Sequence, residues 1–163
     1  MFPPDLLGAA TALLTACRSR GWMVATAESC TGGLIAGLLT EIAGSSDVVD
    51  RGFVTYSNAA KTAMLGVAPG LLAMHGAVSG PVAAAMAAGA LARSDATLTI
   101  AVTGVAGPGG GSVDKPVGTV WFGLAQRGVA PVTDRAVFPG DRSAVRLATV
   151  VHALAMMRTA LDS

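Results

Sequence analysis

Short β-rich runs alternate with segments of helical spacing along this chain, and that rhythm leaves few architectures open. After Pro3-Pro4-Asp5, apolar residues recur at helical intervals through Leu6, Leu7, Ala10, Leu13, Leu14 and Cys17, then stop at Arg18, Arg20 and Gly21. Residues 22–27 read as a buried strand, 29–33 as a turn, and 34–42 as a short helix stopped by Gly44-Ser45-Ser46. A second strand is expected over 48–56, followed by short helices over 58–65 and 69–75. Ser79 is placed to cap the next helix, with Pro81 in its first turn and an end near Arg93. A strand over 98–103 leads into a glycine-rich loop, 104–118. Strands over 119–125 and 132–138 then flank an Arg127-Gly128 turn, which makes them antiparallel neighbours. Asp141 is the expected N-cap of a last helix running to about Leu161.

The order is therefore α-β-α-β-α-α-α-β-β-β-α. Helices between the early strands call for a largely parallel sheet covered on both faces, and the late meander makes it mixed. In such sheets ligands gather beyond the strand ends, at strand-to-helix turns. The 163 residues suit one domain, 1–163, with no room for a second of ordinary size.

Composition narrows the function classes. Hydrophobic residues make up 52% and charged residues 13%, which excludes a disordered chain and leaves room for a homo-oligomer, dimer or higher. Net charge is +1 and the nine Arg are scattered, so no nucleic-acid surface is expected, while a small anionic ligand needs only one or two of them. The longest apolar run, 82–92, is far short of the ~20 residues of a membrane helix. Nothing resembles a signal peptide, and Cys17 and Cys30 make a weak disulfide case, so a soluble cytoplasmic chain is expected. On a background of nine Arg, the two Lys, Lys61 and Lys115, stand out, because a Lys amine can be deprotonated and a guanidinium cannot.

Four segments could carry chemistry. In Ala27-Glu28-Ser29-Cys30-Thr31-Gly32-Gly33 a strand ends, the chain turns, and a helix begins. A Ser there stands above the sheet beside helix N-terminal amides able to hold an anion or an oxyanion. The logic is that of a nucleophile elbow without the G-x-S-x-G spelling, although Ser29 or Thr31 could equally be a plain N-cap. Cys30 is a rival nucleophile, since thiols near helix N-termini become acidic; a small buried Cys is the blander reading.

Thr55-Tyr56-Ser57-Asn58-Ala59-Ala60-Lys61 again runs from strand end to helix start. A desolvated Lys61 could serve as the base of a Ser nucleophile, with Tyr56 relaying a proton or orienting the amine. The competing reading makes Asn58 the helix cap and Lys61 a solvated surface residue. The third segment spans 103–111 and 115–119, whose backbone amides could cradle a phosphate, although neither a Walker A loop nor G-x-G-x-x-G is spelled. In the fourth, Phe138-Pro139-Gly140-Asp141-Arg142, the arginine could clamp a phosphate or carboxylate or simply lie on the surface. His75 and His152 are isolated, with no cluster at metal spacing, so no metal site is expected and His152 reads as structural.

Six segments in order, AESCTGG, TYSNAAK, HGAVS, TGVAGPGGG, KPVGTV and FPGDR, resemble the CinA C-terminal family (competence/damage-inducible protein), from about Leu6 to Leu161. The family includes the nicotinamide mononucleotide deamidases. The resemblance implies a three-layer α/β/α sandwich with a mixed, mostly parallel sheet of about five strands. It implies hydrolysis of the carboxamide of nicotinamide mononucleotide to the acid with release of ammonia, using no metal and no other cofactor. It places the nucleophile at Ser29 and the catalytic lysine and tyrosine at Lys61 and Tyr56. Thr103 and Arg142 fall at substrate-site positions, and Glu28, Thr31, Gly32, Gly104 and Gly107 are expected to complete the substrate-binding set. Many relatives carry a second, N-terminal domain, whose activity is not carried over. Two rivals stay open: a non-enzymatic nucleotide-binding or regulatory module on the same fold, and a Ser/Lys hydrolase of another amide or ester.

Overall fold

A computed structural model describes residues 2–162. Its elements follow the expected order: α1 (Pro4–Arg20), β1 (Val24–Glu28), α2 (Leu34–Glu41), β2 (Val49–Val54), α3 (Asn58–Leu65), α4 (Pro69–His75), α5 (Gly80–Ala92), β3 (Leu98–Gly104), β4 (Thr119–Gln126), β5 (Val129–Val137) and α6 (Arg142–Asp162). The five strands form one sheet in the order β2-β1-β3-β4-β5. β1 pairs in parallel with β2 and β3, whereas β4 is antiparallel to both β3 and β5. β4 therefore runs against the other four strands, and the sheet is mixed with a parallel majority.

The two faces are built differently. Leu98, Ile100 and Val102 of β3, with Val120, Phe122 and Leu124 of β4, point into a large aliphatic cluster closed by α1, α2 and α6. Each fully buried aliphatic or aromatic side chain there contributes roughly 1.5–3 kcal/mol. The opposite face is lined by small residues, Ala27, Ala101 and Ala125, so the Ala-rich α5 settles close to the strands, with Leu65 of α3 and Leu72 of α4 behind it. A Cβ at Gly123 would run into the Ala83 carbonyl of α5, and Thr99 Oγ1 donates to the Ala87 carbonyl at 2.8 Å. Small residues on one face and branched ones on the other thus make the three layers.

α6 is long and apolar enough, with an 18-residue stretch of mean hydropathy 1.3, to cross a membrane by length and composition. The apolar run at 82–92 did not draw attention to it. Here Val145, Val150, Ala153, Leu154, Met157 and Leu161 of α6 are buried in the larger cluster, which makes it a core helix.

β5 starts at Val129 rather than 132, because Pro131 is tolerated within an edge strand that needs no N–H on its open side. β1 is shifted toward Glu28, which pairs in register with Val54 of β2 and Val102 of β3. Three parallel strands therefore end side by side. The Thr55 N–H donates to the Glu28 carbonyl at 2.8 Å, and the Ser29 N–H to the Val102 carbonyl at 3.0 Å. β5 runs the same way, so its exit delivers the start of α6 to the same end of the sheet. Asp141 caps that helix as expected, accepting from the Ala144 N–H at 2.9 Å.

Candidate active site

Ser29 is the first residue beyond β1, and Lys61 reaches it from the first turns of α3. Ser57 fixes that helix start, its Oγ accepting from the Ala60 N–H at 3.0 Å; the cap is Ser57, not Asn58. Lys61 Nζ lies 3.1 Å from Ser29 Oγ and donates to the Thr55 carbonyl at 2.8 Å. Lys61 is only 1% exposed, the least usual environment for this residue type. Its polar partners are a hydroxyl and a carbonyl, both neutral. Burial therefore pulls its pKa below the ordinary 10.5, outweighing the opposing effect of the nearby Cys30. Once neutral, the amine keeps an N–H on the Thr55 carbonyl and has a lone pair for the Ser29 proton.

Tyr56, between the two segments, is 62% exposed, and its hydroxyl accepts from Arg142 Nη2 at 3.0 Å. Arg142 Nη1 donates to the Gly107 carbonyl at 2.9 Å. Arg142 thus ties the strand-to-helix segment at 55–57 to the glycine-rich loop. These groups surround a cavity of about 240 Å³, lined by Ser29, Cys30, Tyr56, Asn58, Lys61, Thr103, Gly104 and Arg142, with Ala77, Val78 and Ala106. A larger groove of about 430 Å³ lies between β5 and α6, walled by Leu124, Val132, Ala155 and Met156. It holds none of the chemistry at Ser29, so volume is no guide here.

Four expected substrate-binding residues, Glu28, Thr31, Gly32 and Gly107, are not among those lining this cavity. Glu28 is fully buried on the α2 side of the sheet. Its Oε2 accepts from Thr31 Oγ1 at 2.6 Å, Gly33 N–H at 3.1 Å and Ile35 N–H at 3.0 Å; its Oε1 accepts from Thr26 Oγ1 at 3.1 Å and Ala36 N–H at 2.8 Å. A helix start leaves its first amides without partners, and Glu28 takes them. The anion site anticipated at this helix terminus is therefore filled by the protein's own carboxylate. Thr31 belongs to the same cluster and is fully buried as well. Gly32 and Gly33, with φ of +60° and +100°, give the turn its left-handed backbone.

The remaining expected residues gather at the sheet end in different capacities. Thr103 is buried at the cavity wall, its hydroxyl donating to the Ala77 carbonyl at 2.8 Å. Gly104 lines the cavity, where a Cβ would stand 2.8 Å from the Thr119 carbonyl. Gly107, at φ +83°, offers its carbonyl to Arg142. Cys30 does not become acidic: burial pushes its thiol up to about 11, which removes the thiolate a rival nucleophile would need. Cys17 and Cys30 are both free. His152 stacks on Phe122 with centroids 4.4 Å apart and hydrogen-bonds Asp134 at 2.7 Å, as a structural residue does. Among the described residues, no three His, Cys, Asp or Glu side chains are grouped to hold a metal ion.

Reading the sequence missed Arg146. Its Nε donates to the Cys30 carbonyl at 3.1 Å and its Nη2 to the Thr31 carbonyl at 2.9 Å. The available signal was its place four residues after Arg142, on the same face of one helix. The cavity walls at Ala77 and Val78 were also missed, having no polar atom in the side chain to suggest a role.

A family model for the CinA C-terminal domain matches residues 8–161. The nicotinamide-nucleotide amidohydrolase PncC of Enterobacter agglomerans is 54% identical over 85% of this chain and 85% of its own length. PncC of Escherichia coli (strain K12) is 53% identical over 85% of this chain and 84% of its own length. A CinA-like protein of Mycolicibacterium vanbaalenii is 56% identical over 86% of this chain, a match that spans 33% of that longer protein. The crystal structure of the competence/damage inducible protein CihA from Agrobacterium tumefaciens superposes with a TM-score of 0.96 at 52% identity, covering 100% of this chain and 99% of that one.

Proposed function

Because the chain belongs to the CinA C-terminal domain family, we propose that it hydrolyses nicotinamide mononucleotide to nicotinate mononucleotide and ammonia, with Ser29, Lys61 and Tyr56 as its catalytic residues. The observation that carries this reading is the desolvated Lys61 amine, 3.1 Å from Ser29 Oγ and without a carboxylate partner. Neutral Lys61 takes the Ser29 proton as Oγ attacks the carboxamide carbon. The oxygen of that carbonyl gains negative charge, and we assign the Cys30 N–H, next after the nucleophile, as a donor to it. The C–N bond breaks as Lys61, helped by Tyr56, returns the proton to the departing ammonia. Water then attacks the Ser29 ester with Lys61 again as base, releasing the acid and restoring both side chains.

The nucleotide phosphate is assigned to the glycine-rich loop and Arg142, which keeps N–H donors beyond the two it uses on Gly107 and Tyr56. Glycines 104 and 107 are required by the loop's own packing, where a Cβ would meet the Thr119 carbonyl and the Val117 side chain, and Thr103 holds the facing wall rather than the phosphate. The two free, buried thiols suit a reducing, cytoplasmic compartment. A purely nucleotide-binding module would keep the loop but has no use for a buried uncompensated lysine, which favours the enzyme.

The test is ammonia release by purified protein from nicotinamide mononucleotide, beside free nicotinamide and aliphatic amides. Turnover of the nucleotide well above the others is expected. A folded protein that binds the nucleotide without releasing ammonia would establish the binding module instead.

A further inference from the structure

The turn that presents Ser29 is short of internal restraint. Two successive glycines there sit in the left-handed region, Gly32 at φ +60° and Gly33 at φ +100°, the least restricted residue type in its most adaptable conformation. Within the turn only two backbone bonds form, Gly32 N–H to the Ser29 carbonyl at 3.0 Å and Leu34 N–H to the Thr31 carbonyl at 3.3 Å. Glu28 anchors the far side, at Gly33, Ile35 and Ala36. The Cys30 carbonyl takes no bond from within the turn, and the Thr31 carbonyl takes only the long one from Leu34.

We propose that Arg146 is a positioning residue for the nucleophile: its guanidinium, reaching from α6, holds the Cys30 and Thr31 carbonyls and so sets Ser29 Oγ and the adjacent amide against the substrate carbonyl. The proposal rests on Ser29 being the nucleophile. The fork of Arg146 spans two consecutive carbonyls, Nε–H to Cys30 and Nη2–H to Thr31. A planar guanidinium does this with fixed geometry, and an ammonium cannot. Each peptide unit is planar, so holding the Cys30 carbonyl also fixes the direction of the Thr31 N–H on its other edge. The Ser29 carbonyl, held by Gly32, fixes the Cys30 N–H in the same manner. The two restraints act on neighbouring planes of one turn.

Arg146 contacts no reacting atom, and its partners lie 116 and 115 residues away in sequence. The same helix places Arg142, one turn earlier, on Tyr56 and Gly107. α6 therefore aligns two of the three proposed catalytic residues at once: it holds the serine turn through Arg146 and the tyrosine through Arg142. Misplacing a catalytic group by ~1 Å can cost about 10²-fold in rate without changing which ligand binds.

The experiment compares Arg146→Ala, Arg146→Lys and Ser29→Ala, with Arg158→Ala as a control on the same helix. Arg158 is exposed and pairs with Asp162. Ammonia release from nicotinamide mononucleotide gives kcat and KM, and thermal unfolding is recorded for each variant. For Arg146→Ala, kcat is expected to fall about 10²-fold with KM nearly unchanged. Added ethylguanidinium should restore part of that kcat, and should restore none in Ser29→Ala. Arg146→Lys keeps the charge and stem but not the fork, so it should fold and still show reduced kcat; it also decides the matter if the alanine variant does not fold. Undiminished kcat in either Arg146 variant overturns the proposal, as does a kcat loss that follows lost folded protein and ignores ethylguanidinium. An active Ser29→Ala would instead remove the nucleophile assignment on which the proposal stands.

Discussion

Replacing Glu28 by Gln separates a helix-fixing role from a substrate-binding one. The side chain keeps its size, but one oxygen becomes an NH₂ group. Oε2 serves three donors and Oε1 serves two, so the amide oxygen should take the Oε2 position. The NH₂ group then faces Thr26 Oγ1 and the Ala36 N–H. Thr26 can rotate its hydroxyl and accept; the Ala36 N–H cannot, and it meets another donor. Orphaning one such amide costs about 1–3 kcal/mol. The three contacts left on the oxygen change from charge-assisted to neutral, weakening by roughly a further 1 kcal/mol in all. A total of about 2–4 kcal/mol lowers Tm by roughly 6–12 °C in a domain of this size. Thermal unfolding followed by circular dichroism reads that shift, and steady-state ammonia release reads KM, which should hold steady because Glu28 lies outside the cavity. A Tm equal to wild type, or a raised KM at unchanged Tm, would refute the reasoning.

Ser29→Ala and Lys61→Ala should each remove most ammonia release while Cys30→Ala keeps much of it, and the Ser29/Lys61 double variant should be little worse than either single one. For Lys61 the pKa is lower folded than unfolded, so the folded chain binds that proton less tightly. Its contribution to stability therefore grows with pH between the lowered value and the unfolded 10.5, and denaturant titrations should show the Lys61→Met variant lacking that rise. kcat/KM should climb across the same lowered value and level off before pH 10.5. Gly123→Ala drives a methyl group into the Ala83 carbonyl and should cost about 1–3 kcal/mol in a urea melt. Arg142→Ala should raise KM for the nucleotide by roughly 10–100-fold, the worth of a lost charged hydrogen bond, in the ammonia assay.

The element order was legible because both periodicities are clean: α3 and α4 fall on the expected residues, and the meander announces itself through Arg127-Gly128. What escaped was set by tertiary contact. Pro131 reads as a strand breaker, yet an edge strand accommodates it. Lys61 reads as solvated, and only the closing of α3 over the strand ends buries it. Glu28 sits next to Ser29 in sequence but points to the α2 side of the sheet, because successive residues of a strand face opposite ways. Local spelling therefore picked out segments that meet at one cavity and could not tell which side chains enter it. Arg146 had only its spacing from Arg142 as a signal, since the carbonyls it holds are more than a hundred residues distant and backbone carbonyls look alike in every sequence.

Cys30 sits beside the serine, and its thiol has a pKa of about 11. At neutral pH only about one molecule in 10⁴ then carries the thiolate that peroxides and alkylating agents attack. The proposed nucleophile thus has a sulfur neighbour that is chemically quiet. Turnover should persist under thiol-directed reagents that silence enzymes built on a reactive cysteine, since Cys17 is equally buried and its thiol likewise pushed up to about 11.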